Sequence, residues 1–144
     1  MAIITKNTKE GTEFSGKPKV VSEPRVWAFS GGFFSASGWP RKNIHTDLEF
    51  ARQCGMSTRA VSATQYMGYL TELMLDLFGD SWLSNGKLNV KFINIVDVGD
   101  RLVTKAVVKS KEAQGAAVKF DFDVWSENQR GEKVMVGTAS GLLT

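Results

Sequence analysis

The chain has 144 residues, which is enough for one domain with a sizeable hydrophobic core. Apolar residues make up 42% of it and charged residues 23%, a balance that excludes a wholly disordered protein. The net charge of +3 comes from basic residues scattered among acidic ones, with no basic run interleaved with aromatic residues, so we expect no nucleic-acid partner.

The counts of cysteine and histidine limit the chemistry further. The one cysteine, Cys54, cannot form an internal disulfide, which fits a reducing compartment. With only one histidine as well, the chain lacks the usual nitrogen and sulfur ligands, so we expect no metal site and no cofactor. The N-terminal apolar run is too short for a signal peptide. Together these features predict a cytoplasmic protein.

The first third of the chain predicts little regular structure. Residues 1–16 are polar and mixed, which indicates a loosely held arm that leads into a first strand near residues 19–22. From Glu23 to Phe34 we expect a short helical or extended piece that turns at the glycine pair Gly31-Gly32. Residues 35–47 contain few helix formers and both a glycine and a proline, so they predict an ordered loop.

A long apolar helix is the feature around which the rest of the chain is organised. A small helix precedes it, beginning after Asp47, a good N-cap, and ending at Gly55. The central helix spans residues 62–79 and is apolar around most of its circumference, which is typical of a buried helix. Because it also carries charges and is short for a bilayer, we expect no membrane partner.

Beyond Asp80 the hydrophobic period changes from that of a helix to that of strands. The predicted strands are residues 87–92, 101–109, 118–124 and 134–142. Four consecutive strands after one buried helix predict an antiparallel sheet curled around that helix. The fold class is therefore α+β, with a single domain of residues 17–144 after the arm of residues 1–16.

Three side chains in or beside the loop are candidates for catalysis. His45 is the strongest, because histidine exchanges a proton near neutral pH, although a backbone hydrogen bond is an equally simple role for it. Asp47 is placed to orient His45 or balance its charge, but a helix cap is the favoured interpretation. Asn43 is able to hydrogen-bond a carbonyl or position a water, and a turn asparagine is the alternative.

Substrate-binding groups are expected at the start of the central helix. Free backbone N–H groups at Ser62, Ala63 and Thr64 could bind a carbonyl oxygen that gains negative charge. Trp39, in the loop, is a further candidate contact with substrate. An acyl or aromatic pocket could be lined by Tyr66, Met67, Met74 and Trp82, although a core role is favoured for each of these four.

Three segments, in order, resemble the MaoC-like dehydratases and (R)-specific enoyl-CoA hydratases of the hot-dog fold. The segments are NIHTDLEFARQCG, the buried helix, and WLSNGKLNVKFINIVDVGDRL. In that family a loop of the type D-x-N-P-[IL]-H-x-D-x-x-x-A precedes the helix, and G-x-L-x-V-x-F and G-D follow it. Here His45, Asp47 and Ala51 match the loop, residues 86–92 match the strand, and Gly99-Asp100 matches the last motif. The resemblance covers residues 38–108 and implies a single hot-dog domain.

The resemblance also implies an activity, with one departure from the family pattern. It implies an acyl-thioester hydratase or dehydratase in which His45 transfers the proton while the N–H groups near Ala63 and Thr64 polarise the thioester carbonyl. The family's catalytic aspartate, however, falls on Pro40, and its asparagine falls on Lys42.

Two alternatives and a partner follow from the same resemblance. A thioesterase would use Glu72 or Asp47 to activate water, and a non-catalytic protein would keep only the acyl-binding tunnel. The acyl group would be carried by coenzyme A or by a carrier protein. Members of this fold pair as homodimers with each substrate tunnel between subunits, and a small curled sheet leaves edges that need cover.

Overall fold

The 16-residue helix Ala63–Phe78 packs against one antiparallel sheet, and the remaining helices are short. The computed structural model describes residues 3–144. Its elements are β1 (Glu13–Ser15), β2 (Lys19–Val20), α1 (Glu23–Ser30), α2 (Leu48–Gln53), α3 (Ala63–Phe78), α4 (Ser81–Asn85), β3 (Lys87–Phe92), β4 (Arg101–Gln114), β5 (Ala117–Glu127) and β6 (Lys133–Leu143). The predicted α+β class, with a sheet around one long helix, is confirmed.

The sheet runs in the order β1-β4-β5-β6-β3, and β2 adds to β4 beside this path. All of these pairings are antiparallel. Along β5 the buried side chains of Phe120, Phe122 and Val124 alternate with half-buried ones, as period-two alternation predicts for a strand with one face on the core. In the strand order given above, β3 lies at one edge of the sheet and β1 at the other.

The core forms where α3 meets this face of the sheet. Leu70, Met74 and Leu77 are completely buried, and their spacing of three and four residues places them on one stripe of the helix. The ring of Phe78 packs edge-on against Phe122, with ring centroids 5.8 Å apart. Burial of each such side chain stabilises the fold by about 1.5–3 kcal/mol, so this stripe fixes how the helix sits on the sheet.

The favoured core role of three pocket candidates is confirmed. Tyr66, Met74 and Trp82 are 3%, 0% and 6% exposed and belong to the main hydrophobic cluster, while Met67 is partly buried against it. Burial raises the pKa of the Tyr66 phenol above its ordinary value of 10.0. Tyr66 therefore keeps its phenol proton near pH 7, and its ring packs in the core.

Two parts of the chain are more ordered than their composition predicts. The arm, within its described residues 3–16, is held to α3 by hydrogen bonds from the backbone N–H groups of Ile3 and Ile4 to the carbonyls of Asp76 and Leu77. Ile4 is 2% exposed, so one buried apolar side chain anchors a segment whose overall composition is polar. The helix α4 was also not predicted, because five residues are too few to show a helical period.

None of the helices within residues 3–144 combines the length and the apolar character needed to cross a bilayer. The helix α3 ends at Phe78, and the backbone N–H of Gly79 then bonds the carbonyl of Leu75 at 2.7 Å. Gly79 has a φ of 62°, a conformation that glycine adopts without the cost of a side chain.

Candidate active site

His45 lies beside the approach to α3. Its Nδ1 is 2.5 Å from the carbonyl oxygen of Ala60, three residues before the helix begins, and the side chain is half-buried. A carbonyl oxygen only accepts hydrogen bonds, so Nδ1 must carry the hydrogen. In the neutral ring the lone pair then lies on Nε2. The backbone hydrogen bond considered as an alternative role is therefore present, and it leaves Nε2 in the form that accepts a proton.

Asn43 holds the loop in the shape that presents His45. Its Oδ1 accepts the backbone N–H of His45 at 2.8 Å. Its Nδ2 donates to the carbonyl of Ser30 at 2.8 Å and to that of Arg41 at 3.1 Å. One side chain thus joins the end of α1 to two points of the loop, which is the turn role that we named as the alternative to direct contact with substrate.

Asp47 caps the small helix α2. Its Oδ1 accepts the backbone N–H of Phe50 at 2.7 Å, and the Nζ of Lys42 is 3.7 Å from the same oxygen. Among residues 3–144 no hydrogen bond joins Asp47 to His45. The structure therefore shows the favoured cap role for Asp47, and its suggested contribution to catalysis stays a prediction.

The start of α3 offers backbone donors three residues beyond Ala60, whose carbonyl His45 contacts. The first N–H groups of a helix have no partner within the helix, and here they belong to Ala63 and Thr64. The hydroxyls of Ser62 and Thr64 are 2.9 Å apart and bond to each other, and the N-cap Ser62 makes no side-chain cap. The N–H groups at this terminus are therefore candidate donors to a developing oxyanion, and that role stays a prediction.

Trp39 packs into an aromatic group at the end of α1. Its ring centroid is 6.1 Å from that of Trp27 and 5.0 Å from that of Phe34. The same side chain borders a cleft of about 440 Å³ that includes Arg41 and Lys42. Trp39 thus remains within reach of a ligand in that cleft, while much of its ring serves the packing of the loop.

The position of the family's catalytic aspartate is filled by a packed proline. A Cβ built on Gly31 would lie 2.8 Å from the Cβ of Pro40 and 2.4 Å from the carbonyl oxygen of Trp27. The backbone N–H of Arg41 also bonds the carbonyl of Gly31 at 2.7 Å. Pro40 therefore lies directly on the backbone at the end of α1, and only glycine fits opposite it.

Sequence reasoning missed Arg59, which ties the loop to α1. Its guanidinium forms an ion pair with Glu23 at the start of α1, and Nη1 is 3.4 Å from the carbonyl oxygen of Thr46. No sequence signal marks this arginine, because its partners lie 36 and 13 residues away.

Within residues 3–144, no group of three or more histidine, cysteine or acidic side chains is arranged to hold a metal ion.

Comparison with known proteins places this geometry in a family. The family model described as "MaoC like domain" matches residues 35–128, which include the loop, α3 and most of the sheet. No curated protein sequence matches the chain closely enough to count as a relative.

Solved structures share the fold over nearly the whole chain. A MaoC-like dehydratase from Rhodospirillum rubrum is 19% identical, covering 99% of this chain and 97% of its own, with a TM-score of 0.76. An (R)-hydratase from A. caviae involved in PHA biosynthesis is 16% identical, covering 97% and 100%, with a TM-score of 0.74. A monoamine oxidase regulatory protein from an Archaeoglobus species is 23% identical, covering 99% and 94%, with a TM-score of 0.73.

At these identities the structural likeness shows the fold alone, while the family model shows membership. That model spans well over half of the chain and includes His45 and the start of α3. The chain therefore belongs to the MaoC-like dehydratase family and has its hot-dog fold.

Proposed function

We propose that this chain is an enoyl-thioester hydratase, or the corresponding dehydratase, in which His45 transfers the proton. The observation that carries the proposal is the hydrogen bond from His45 Nδ1 to the Ala60 carbonyl, because it orients the ring and leaves Nε2 to act on water. Family membership supports the reaction class. The solved neighbours whose printed names are hydratase or dehydratase point the same way.

The proposed reaction uses two groups, the imidazole of His45 and the backbone N–H groups of Ala63 and Thr64. Hydrogen bonds from the N–H groups of Ala63 and Thr64 to the thioester oxygen withdraw electron density and make the β-carbon electrophilic. His45 Nε2 takes a proton from water as the hydroxide oxygen bonds to the β-carbon. The protonated ring then returns that proton to the α-carbon. Dehydration is the same sequence in reverse.

No carboxylate in the loop replaces the family's aspartate, so His45 acts in both proton transfers. Position 40 is proline, and the carboxylate of Asp47 is engaged in capping α2. Glu72, on the outer side of α3, pairs with Lys19, with 2.7 Å between Oε2 and Nζ. Both carboxylates therefore have structural partners already, which favours hydration by His45 over a thioesterase that uses either of them.

We further propose that two copies of the chain pair through β3 and act in the cytoplasm. One side of β3 pairs with β6, and its other side has no partner strand among residues 3–144. Phe92, the last residue of β3, and Ile93 and Ile95, just beyond it, are 41%, 48% and 60% exposed. An unpaired edge with exposed apolar side chains is suited to pairing with a second sheet. The lone thiol is compatible with a reducing compartment.

An isotope experiment separates the three candidate functions. The purified protein is incubated with a 2-enoyl-coenzyme A in water labelled with oxygen-18, and the products are analysed by mass spectrometry. Our proposal predicts label in the β-hydroxyl group of an intact thioester. Label in a free carboxylate would instead establish a thioesterase, and binding of substrate with no labelled product would establish a non-catalytic acyl-binding protein.

A further inference from the structure

Two hydrogen bonds join the loop that carries His45 to the segment ahead of α3, residues 57–62. The first runs from His45 Nδ1 to the carbonyl oxygen of Ala60 at 2.5 Å. The second runs from Arg59 Nη1 to the carbonyl oxygen of Thr46 at 3.4 Å. Among residues 3–144 no other hydrogen bond joins the loop to this segment. The two bonds therefore link adjacent residues of one segment to adjacent residues of the other.

The carbonyl of Thr46 depends on Arg59 for its hydrogen bond. Thr46 is 7% exposed, and its hydroxyl donates to the Arg41 carbonyl at 2.7 Å and accepts the N–H of Asn43 at 3.1 Å. Those two bonds hold the loop together internally. For the carbonyl itself, Arg59 is the only hydrogen-bond donor among residues 3–144. A buried carbonyl without a partner is costly, so the guanidinium stabilises the loop in this position.

Glu23 holds the guanidinium in place. Its carboxylate, at the start of α1, forms an ion pair with the same Nη1 atom of Arg59 that donates to Thr46. The Arg59 side chain is only 22% exposed, and hydrogen bonds between charged partners are stronger than neutral ones. Arg59 therefore connects three parts of the chain: α1, the loop and the segment ahead of α3.

The distance between the loop and Ala60 decides which nitrogen of His45 carries the hydrogen. A neutral imidazole side chain in water favours the hydrogen on Nε2. Donation to the Ala60 carbonyl instead keeps the hydrogen on Nδ1. If the loop moves away, this bond is lost and the hydrogen returns to Nε2. That nitrogen then has no lone pair with which to accept a proton.

We infer that Arg59 is a positioning residue, which fixes the orientation and the tautomer of His45 by holding the Thr46 carbonyl beside Ala60. The inference rests on the proposed function, in which Nε2 takes a proton from water. Arg59 acts only through His45 and needs no contact with substrate. A displacement of about 1 Å is enough to reduce a proton transfer strongly, so one hydrogen bond at this point affects the rate.

Nuclear magnetic resonance tests the inference directly, because the chain has one histidine. Tag-free protein labelled with nitrogen-15 in histidine gives the signals of a single ring, and the nitrogen shifts of the neutral ring show which atom carries the hydrogen. Wild type should have it on Nδ1. Arg59→Met should have it mostly on Nε2, with kcat for hydration lower by about 10–100-fold and KM within about twofold of wild type.

Three further variants separate positioning from a general loss of structure. Arg59→Lys should keep most of the hydrogen on Nδ1, because an ammonium group donates to both Thr46 and Glu23. Glu23→Gln, at the exposed start of α1, removes the charge that holds the guanidinium and should move part of the hydrogen to Nε2. Arg52→Met removes an exposed arginine of α2 that forms no ion pair within residues 3–144, and it should change neither signal nor rate. Circular dichroism of each variant checks that it is folded.

Two results overturn the inference: a wild-type ring with its hydrogen on Nε2, and a folded Arg59→Met protein that keeps it on Nδ1. If Arg59→Met does not fold, Glu23→Gln decides, and an unchanged ring in that variant overturns the inference. These spectra need no turnover, so the role of Arg59 can fail while hydration stands. A tautomer shift in Arg59→Met with hydration at the wild-type rate does the reverse, since it keeps the positioning role and refutes proton transfer by His45.

Discussion

The imidazole Nδ1 of His45 and the carbonyl oxygen of Ala60 are 2.5 Å apart, across 15 residues of sequence. Ala60 itself is fixed by a β-bridge to Asp97, and the next residue, Val61, bonds the carbonyl of Val96 through its N–H at 2.9 Å. His45 is therefore positioned by the Ala60 carbonyl, which the segment between β3 and β4 holds in place. This relationship sets the ring orientation on which the proposed proton transfer depends.

Replacing His45 by glutamine should remove hydration without unfolding the protein. Glutamine retains an N–H donor for the Ala60 carbonyl but has no group that takes a proton near neutral pH. We expect kcat/KM for hydration to fall by about 10²–10⁴-fold, the usual contribution of a general acid–base residue. Thermal unfolding monitored by circular dichroism should shift by only a few degrees. Turnover equal to that of wild type would refute the role of His45.

Two variants of Asp47 distinguish a structural role of its carboxylate from a catalytic one. Serine also caps helices, so Asp47→Ser should preserve stability, whereas Asp47→Ala should lower the free energy of unfolding by about 0.5–2 kcal/mol. Because Asp47 makes no hydrogen bond to His45 among residues 3–144, we expect both variants to hydrate at rates close to wild type. Denaturant titration and steady-state kinetics check the two expectations. A stable but inactive Asp47→Ser protein would show that the carboxylate takes part in the chemistry.

Pro40→Asp should restore the family's carboxylate and raise the rate of hydration. The substitution removes the contact of the Pro40 ring with Gly31, but it keeps the hydrogen bonds of Asn43 and the bond from Arg41 N–H to the Gly31 carbonyl that hold the loop. We therefore expect folding to survive and kcat to rise by about tenfold or more. Pro40→Asn is the matched control, with the same shape and no charge. Equal rates in the aspartate and asparagine variants would contradict the prediction.

The edge of β3 predicts the assembly of two chains. Lysine at both Ile93 and Ile95 places charges on the exposed segment directly after β3, which should prevent sheet pairing. Light scattering after size exclusion should give twice the 15.8 kDa mass of one chain for wild type and a single chain mass for the double variant. Leu83→Lys, at a site on α4 that is 72% exposed, controls for added charge and should stay paired. A monomeric wild type, or a paired double variant, would refute pairing through β3.

How well the sequence predicts a helix or strand depends on how many residues its apolar period covers. The central helix and the later strands were predicted because their apolar periods repeat over many residues, and α3 and β5 differ from the predicted bounds by only a few residues at their ends. β1 has three residues and α4 has five, which is too short to show a period. Their positions depend on partners far along the chain, such as the pairing of Phe14 with Ala106.

The site was predictable only as far as its residues lie close in sequence. His45 and the start of the central helix were identified from residue type and spacing. The hydrogen bond from Asn43 to Ser30 was not, because Ser30 lies 13 residues away and comes into reach only when α1 packs beside the loop. The bond from Arg59 to Thr46 likewise requires the segment ahead of α3 to pack beside the loop, which no local pattern of apolar residues specifies.

The central claim is that the chain adds water to an enoyl thioester without breaking the thioester. The most direct measurement follows enoyl absorbance and free thiol in one cuvette, with short, long and aromatic 2-enoyl-coenzyme A substrates. We predict that absorbance falls for at least one substrate while free thiol stays constant. Release of thiol in step with the loss of substrate, or no change in either signal across the panel, would contradict the claim.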